Sequence, residues 1–167
     1  MKTKLQFVFL CFFIFTTTAF AQQEARKFDS MGQVNCEDAK ARLDNWAIEL
    51  QNNPNTKGYL IFYGGRRYSN YVYDKKKKQY VTVELSPKQG EAGARISPWK
   101  PYLTDNRGID ASRIEVIDGG YREEPTIELW VVPTGAKPPT PKPTLSKKEI
   151  RFRKGRIKRG DIPTFGC

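Results

Sequence analysis

The chain has 167 residues, with 29 Lys and Arg against 18 Asp and Glu and no His, and 38% of it is apolar: enough for one compact domain and too little for two sizeable ones. The absence of His excludes an imidazole general base, Ser-His and Cys-His nucleophile pairs and His-ligated metals, and three Cys fall short of the four thiolates of an all-cysteine zinc site. The composition therefore points away from an enzyme and away from any cofactor.

Lys2 and Lys4 precede an uncharged run over 5–15, which gives way to threonines and to Ala19-Phe20-Ala21. A basic start, an apolar stretch of about ten residues and an Ala-x-Ala end read as a signal peptide over 1–21. The run is shorter than the roughly 20 residues that span a bilayer. A mature chain beginning at Gln22 is expected in the periplasm, in the outer cell envelope or secreted, with 27 basic and 18 acidic residues. It keeps Cys36 and Cys167, and two thiols in an exported chain suggest one disulfide. Such a bond closes a loop of about 130 residues, worth roughly 4–5 kcal/mol in loop-closure entropy; two unpaired thiols are the alternative.

Asn35 is placed to cap a helix whose first turn carries Glu37 and Asp38, where the dipole favours acids. Ala39, Leu43, Trp46, Ala47 and Leu50 form one apolar stripe along it, and the Asn- and Pro-rich 52–55 ends it. Residues 59–63 are apolar on both faces and predict a central strand, closed by Gly64-Gly65 and followed by Arg66-Arg67. Residues 68–73 and 79–85 flank Asp74 and four lysines, 75–78, which predicts a hairpin inserted over 68–86. Aromatics beside a basic tip suit sugar stacking or anion binding; a solvated turn is the plainer reading. Apolar residues recur at helical spacing over 91–106, but Pro98 and Pro101 each remove a backbone donor. A break near Ser97 is predicted, with Ser97 capping a shorter helix from Pro98. Strands over 113–118 and 126–132 come next, separated by a turn at Gly119-Gly120. Helices between strands at this spacing imply an α+β fold, a two-layer sandwich with some parallel pairing.

The charge is uneven. Residues 22–132 carry 17 basic and 16 acidic residues, whereas 133–167 carry 10 basic and 2 acidic. Five prolines between 133 and 143 mark 133–148 as a stiff, extended linker. The tail, 149–167, interleaves Ile150, Phe152, Ile157 and Ile162 with Arg151, Arg153, Lys154, Arg156, Lys158 and Arg159, and Lys154-Gly155 suggests a small hairpin. One face would be apolar and the other cationic. This suits a clamp on an anionic glycan or on lipid headgroups, or equally a solvated tail whose apolar side docks on the body. Export sets nucleic acid aside as a partner.

The order Phe28-Asp29, Leu43-Asp44, the run 47–50, Pro54, the strand ending at Gly64, Ala94-Arg95, Tyr102-Leu103, the run from Arg107 through Gly108-Ile109-Asp110 to Arg113-Ile114, and Pro125 resembles the OmpA-like C-terminal domain family of peptidoglycan-associating modules. The resemblance spans roughly 27–132, leaving out the hairpin, and implies a β-α-β-α-β arrangement over 22–132. In that family an Asp after the central strand and an Arg on the next helix grip the wall peptide, whose groups carry both signs. The Arg matches Arg95; the Asp falls at Arg66, with its charge reversed, and the late Asn-Arg-Arg segment is missing. A site built from Arg66, Arg67 and Arg95 would favour anions. The resemblance thus implies a non-catalytic envelope module contacting peptidoglycan or another anionic envelope polymer, with an envelope protein as a further candidate partner. A secreted protein–protein interaction or structural module without wall binding is the alternative.

Overall fold

The computed structural model describes residues 24–158 and 162. The expected signal peptide, Arg159 and Cys167 lie outside the described residues, and so does the Cys36–Cys167 pairing.

The elements run in the order β1 (Arg26–Met31), α1 (Cys36–Asn52), β2 (Thr56–Gly64), β3 (Tyr68–Asp74), β4 (Gln79–Leu85), α2 (Glu91–Ile96), α3 (Trp99–Pro101), β5 (Ile114–Tyr121) and β6 (Thr126–Pro133). Four strands form a mixed sheet, β1-β6-β2-β5, and β3 and β4 form a separate ribbon. β2 is parallel to β5 and antiparallel to β6. The fold is α+β, as the alternation of periods predicted. Among the described residues, no helix is long and apolar enough to cross a membrane.

α1 forms where local chemistry favours it. The Asn35 side chain accepts from the Asp38 N–H at 2.8 Å, and the predicted stripe of Ala39, Leu43, Trp46, Ala47 and Leu50 is wholly buried. Strand residues alternate between faces; Leu60, Phe62, Leu129 and Val131 meet this stripe, together with Ile96, Trp99 and Leu103. Gly58 is the point of closest approach, since a Cβ there would lie 2.7 Å from Trp46 and 2.8 Å from Leu50.

Two local expectations are corrected. The helix does break after Ile96, but Ser97 keeps a helical backbone and its hydroxyl donates to the Ala94 carbonyl at 2.9 Å, so it does not cap α3. α3 instead widens into a π-type turn over Tyr102–Asn106, while the Tyr102 N–H still makes an ordinary helical bond to the Pro98 carbonyl at 3.1 Å. Gly119-Gly120 is not a turn either: β5 continues through it to Tyr121. Gly119 lies where any Cβ would be 2.5 Å from the Tyr63 ring, so the absent side chain lets β5 lie against β2.

The proline-rich segment does not reach away from the body. It turns at Pro133–Ala136, with the Thr134 N–H on the Asn55 carbonyl at 2.9 Å, and returns as a strap over the sheet face opposite α1. There the Lys142 N–H donates to the Tyr63 hydroxyl at 3.1 Å, and the Thr144 and Leu145 N–H groups both donate to the Tyr121 carbonyl at 3.0 Å. A helix layer, a sheet and a strap thus enclose β2 on both faces, which accounts for the burial of Ile61 and Tyr63 as well as that of Leu60.

Candidate functional site

The residues expected to bind ligand gather around the carboxyl end of β2, but they do not form one hollow. Arg95 lies one turn beyond Glu91 on α2, the spacing at which side chains on one face meet. Its Nε and Nη2 reach Glu91 Oε1 at 3.1 and 2.6 Å, and Nη2 also donates to Asn70 Oδ1 at 2.9 Å. The guanidinium lies 4.2 Å from the centre of the Tyr68 ring. Only 8% of the Arg95 side chain and none of the Glu91 side chain is exposed. Glu91 Oε2 accepts from the Lys88 backbone N–H at 2.7 Å and from Arg153 at 3.3 Å. Burial pushes the Tyr68 phenol up to about 12. Arg95 therefore serves an internal ion-pair network.

On its other side Arg95 borders a cavity of about 90 Å³ between the start of α1, α2 and the ends of β2 and β6, whose walls include Val34, Phe62, Tyr68, Trp99 and Ile127. Neither Arg66 nor Arg67 lines it, which corrects the expectation of a shared anion site. Arg66, in the loop after β2, pairs bidentately with Glu123 at 2.8 and 3.0 Å and donates to the Glu149 carbonyl at 3.3 Å. Its hydrogen bonds hold the Glu123 carboxyl below, and its own guanidinium above, their ordinary values. Arg67 is exposed.

The tail lies along the same region, but not as the expected hairpin. Residues 149–153 and 156–158 do not pair with each other. Ser146 and Glu149 make a capping box around a short turn, Lys147–Glu149, and the chain then runs extended past the start of α2. The Arg153 N–H donates to the Pro87 carbonyl at 2.8 Å and its Nε to the Ser86 carbonyl at 2.6 Å. Ile150 is 6% exposed, and Phe152 meets Tyr121 edge-on at 5.8 Å. The alternation survives without the hairpin: Ile150, Phe152, Arg153 and Ile157 turn inward, while Arg151, Lys154, Arg156 and Lys158 are exposed. Arg153 thus leaves the predicted cationic face for the Glu91 network.

A second hollow lies beneath the strap, of about 550 Å³, bordered by Lys27, Glu128, Trp130, Pro138, Pro139 and Lys142. Glu128, 4% exposed, accepts from Lys27 at 2.7 Å, from Arg122 and the Trp130 indole N–H at 3.2 Å, and from the Tyr63 hydroxyl at 3.4 Å. Burial raises its carboxyl, but the Lys27 and Trp130 hydrogen bonds and the nearby cations outweigh burial and hold it below the ordinary value. Sequence reasoning missed both acids. The i,i+4 pair Glu91 and Arg95 was a legible signal; Glu128, within an apolar strand, announced only that some cation must reach it.

Among the described residues, no group of three or more Cys, Asp or Glu is arranged to hold a metal ion. Of the carboxylates not yet placed, Asp118 accepts the Gly120 N–H at 2.9 Å and Glu115 lies 3.7 Å from Lys57. No family model matches the chain, and no curated protein matches it.

Proposed function

We propose that the chain is a secreted, non-catalytic envelope module, of OmpA-like descent, that associates with peptidoglycan or another anionic envelope polymer in the periplasm or outer envelope. The observation that carries this reading is the docked tail. Its apolar residues pack on the body, so that Arg151, Lys154 and Arg156 are displayed as an exposed cationic ledge. Long basic side chains held on a docked backbone lose less freedom on binding than the same residues on a free tail, and guanidinium groups pair well with carboxylate and phosphate. The binding surface on this reading is the exposed ledge. The Arg95 cavity is not used, because its guanidinium is already engaged by Glu91 and Asn70. The strap is bonded to its own sheet rather than held out as an arm for a protein partner, which supports the polymer reading over the protein–protein alternative.

The test is retention of the mature chain on purified sacculi across a salt series. Wild type is expected to be retained at low salt and released as salt rises. R151Q/K154Q/R156Q is expected to bind weakly with a flattened salt dependence while keeping its fold, since all three side chains are exposed. No retention of wild type at low salt, or a triple variant indistinguishable from it, refutes the reading.

A further inference from the structure

The ribbon of β3 and β4 stands apart from the four-stranded sheet. Its foot is fixed. Tyr68 is 4% exposed, Asn70 receives Arg95, and the Gln33 side chain donates to the Ser69 carbonyl and accepts from its N–H. Beyond Asn70 the character changes: Tyr71 is 79% exposed, Tyr80 69%, Tyr73 49% and Val72 42%. The register sets Tyr71 opposite Thr82 and Tyr73 opposite Tyr80, so three phenol rings share one face, with Tyr73 and Tyr80 in edge contact at 5.3 Å. Beyond them the tip is Lys75–Lys78, all exposed. Asp74, the acid nearest the tip, folds back onto the Lys76 and Lys77 N–H groups at 2.9 and 3.2 Å. A two-stranded ribbon is marginal in water on its own, and clustered exposed rings mark a contact surface.

We propose that this tyrosine face and lysine tip dock on the surface of an anionic lipid bilayer. Tyrosine rings settle at the headgroup level, with apolar body inward and hydroxyl in water, and lysines close to an anionic surface are attracted to it. The choice of cation separates this surface from the polymer ledge. Two of the three ledge cations, Arg151 and Arg156, are arginines, whose planar fork suits fixed carboxylates and phosphates. The tip holds only lysine, a compact hydrated charge suited to a layer of mobile headgroups. The two surfaces are also apart. The tail is bonded at Ser86, at the ribbon's foot, and seven strand residues put the tip about 24 Å farther out, at about 3.4 Å per residue.

Sedimentation of the mature chain with vesicles tests this, using phosphatidylcholine alone and phosphatidylcholine with a third of phosphatidylglycerol. Wild type is expected to bind the anionic vesicles alone. K75Q/K76Q/K77Q/K78Q is expected to lose tenfold or more of that affinity. Y71S/Y73S/Y80S is expected to lose the part of the binding that persists in high salt. R151Q/K154Q/R156Q is expected to bind vesicles within twofold of wild type even though it loses sacculi, which keeps this proposal separable from the polymer reading. Vesicle binding that is absent, that is lost in the ledge variant and kept in the hairpin variants, or that is replaced by a hairpin effect on sacculus retention, overturns the proposal.

Discussion

The guanidinium of Arg153 lies 3.3 Å from the carboxylate of Glu91, 62 residues earlier in the chain. Through this contact the C-terminal segment, the start of α2 and the foot of the ribbon share one fully buried acid. Removing the charge of a buried, hydrogen-bonded acid leaves its cations uncompensated, at a cost of about 3–5 kcal/mol. Glu91→Gln is therefore expected to lower the unfolding free energy by about 3 kcal/mol or more. Urea denaturation measures it; a loss under about 1 kcal/mol would mean that Arg95 and Arg153 find other partners.

Acid should act through a second carboxylate. Glu128 has its folded-state pKa held below the ordinary 4.5 by Lys27, Trp130 and Arg122 against the opposing effect of burial. Asp44 is held below 3.8, first by its hydrogen bond from Arg107. A group depressed in the folded state stabilises fully above its unfolded pKa and loses that contribution as pH falls through the folded value. Stability is therefore expected to be level from neutral pH down to about 5 and then to fall with further acidification. Denaturation midpoints between pH 7 and 3 would show a shallower acid limb for Glu128→Gln; parallel limbs would exclude Glu128 as a source of the pH dependence.

Gly65 offers a packing test that involves no charge. A Cβ at this position would lie 2.4 Å from Pro125 Cδ and 2.6 Å from its backbone nitrogen. Neither atom is the end of a flexible side chain. Gly65→Ala is expected to cost about 1–3 kcal/mol through overpacking, and to loosen Arg66, whose backbone N–H donates to the Glu123 carbonyl at 3.0 Å. Gly135→Ala is the contrasting substitution, because no atom lies within 4 Å of its added Cβ, although its φ of +84° still strains an alanine. Thermal denaturation should rank Gly65→Ala as the more damaging of the two.

For the cysteines, the expected outcome is a bond between Cys36, the first residue of α1, and Cys167. Reduction of the mature protein should add about 2 Da, two hydrogens for one S–S bond, and should lower stability by roughly 4–5 kcal/mol if the long loop is unstrained. An unchanged mass under intact conditions would mean two thiols.

Several elements were readable before any coordinates because their causes are local. α1 has its cap, its acidic first turn and its stripe within 17 residues. The ribbon announces itself by alternation around a lysine turn, and the two prolines break the helix after Ile96 wherever it packs. The α+β class came from counting such periods. β1 is different: Arg26–Met31 has no apolar alternation of its own and is a strand only because the exposed edge of β6 pairs with it. The same holds for the strap, whose prolines set its stiffness but not its destination; that was decided by Tyr63 and Tyr121 offering it partners. The candidate site divides in the same way. Which residues carry charge, and that the tail alternates between apolar and cationic, is written in the order of amino acids. Whether a given arginine faces solvent or an acid depends on which distant carboxylate the fold brings within hydrogen-bonding distance. Glu91 claimed Arg95 and Arg153 because a buried carboxylate must be paired, and Glu123 claimed Arg66 because the fold sets their two loops side by side. No pattern local to those arginines records where the acid will be.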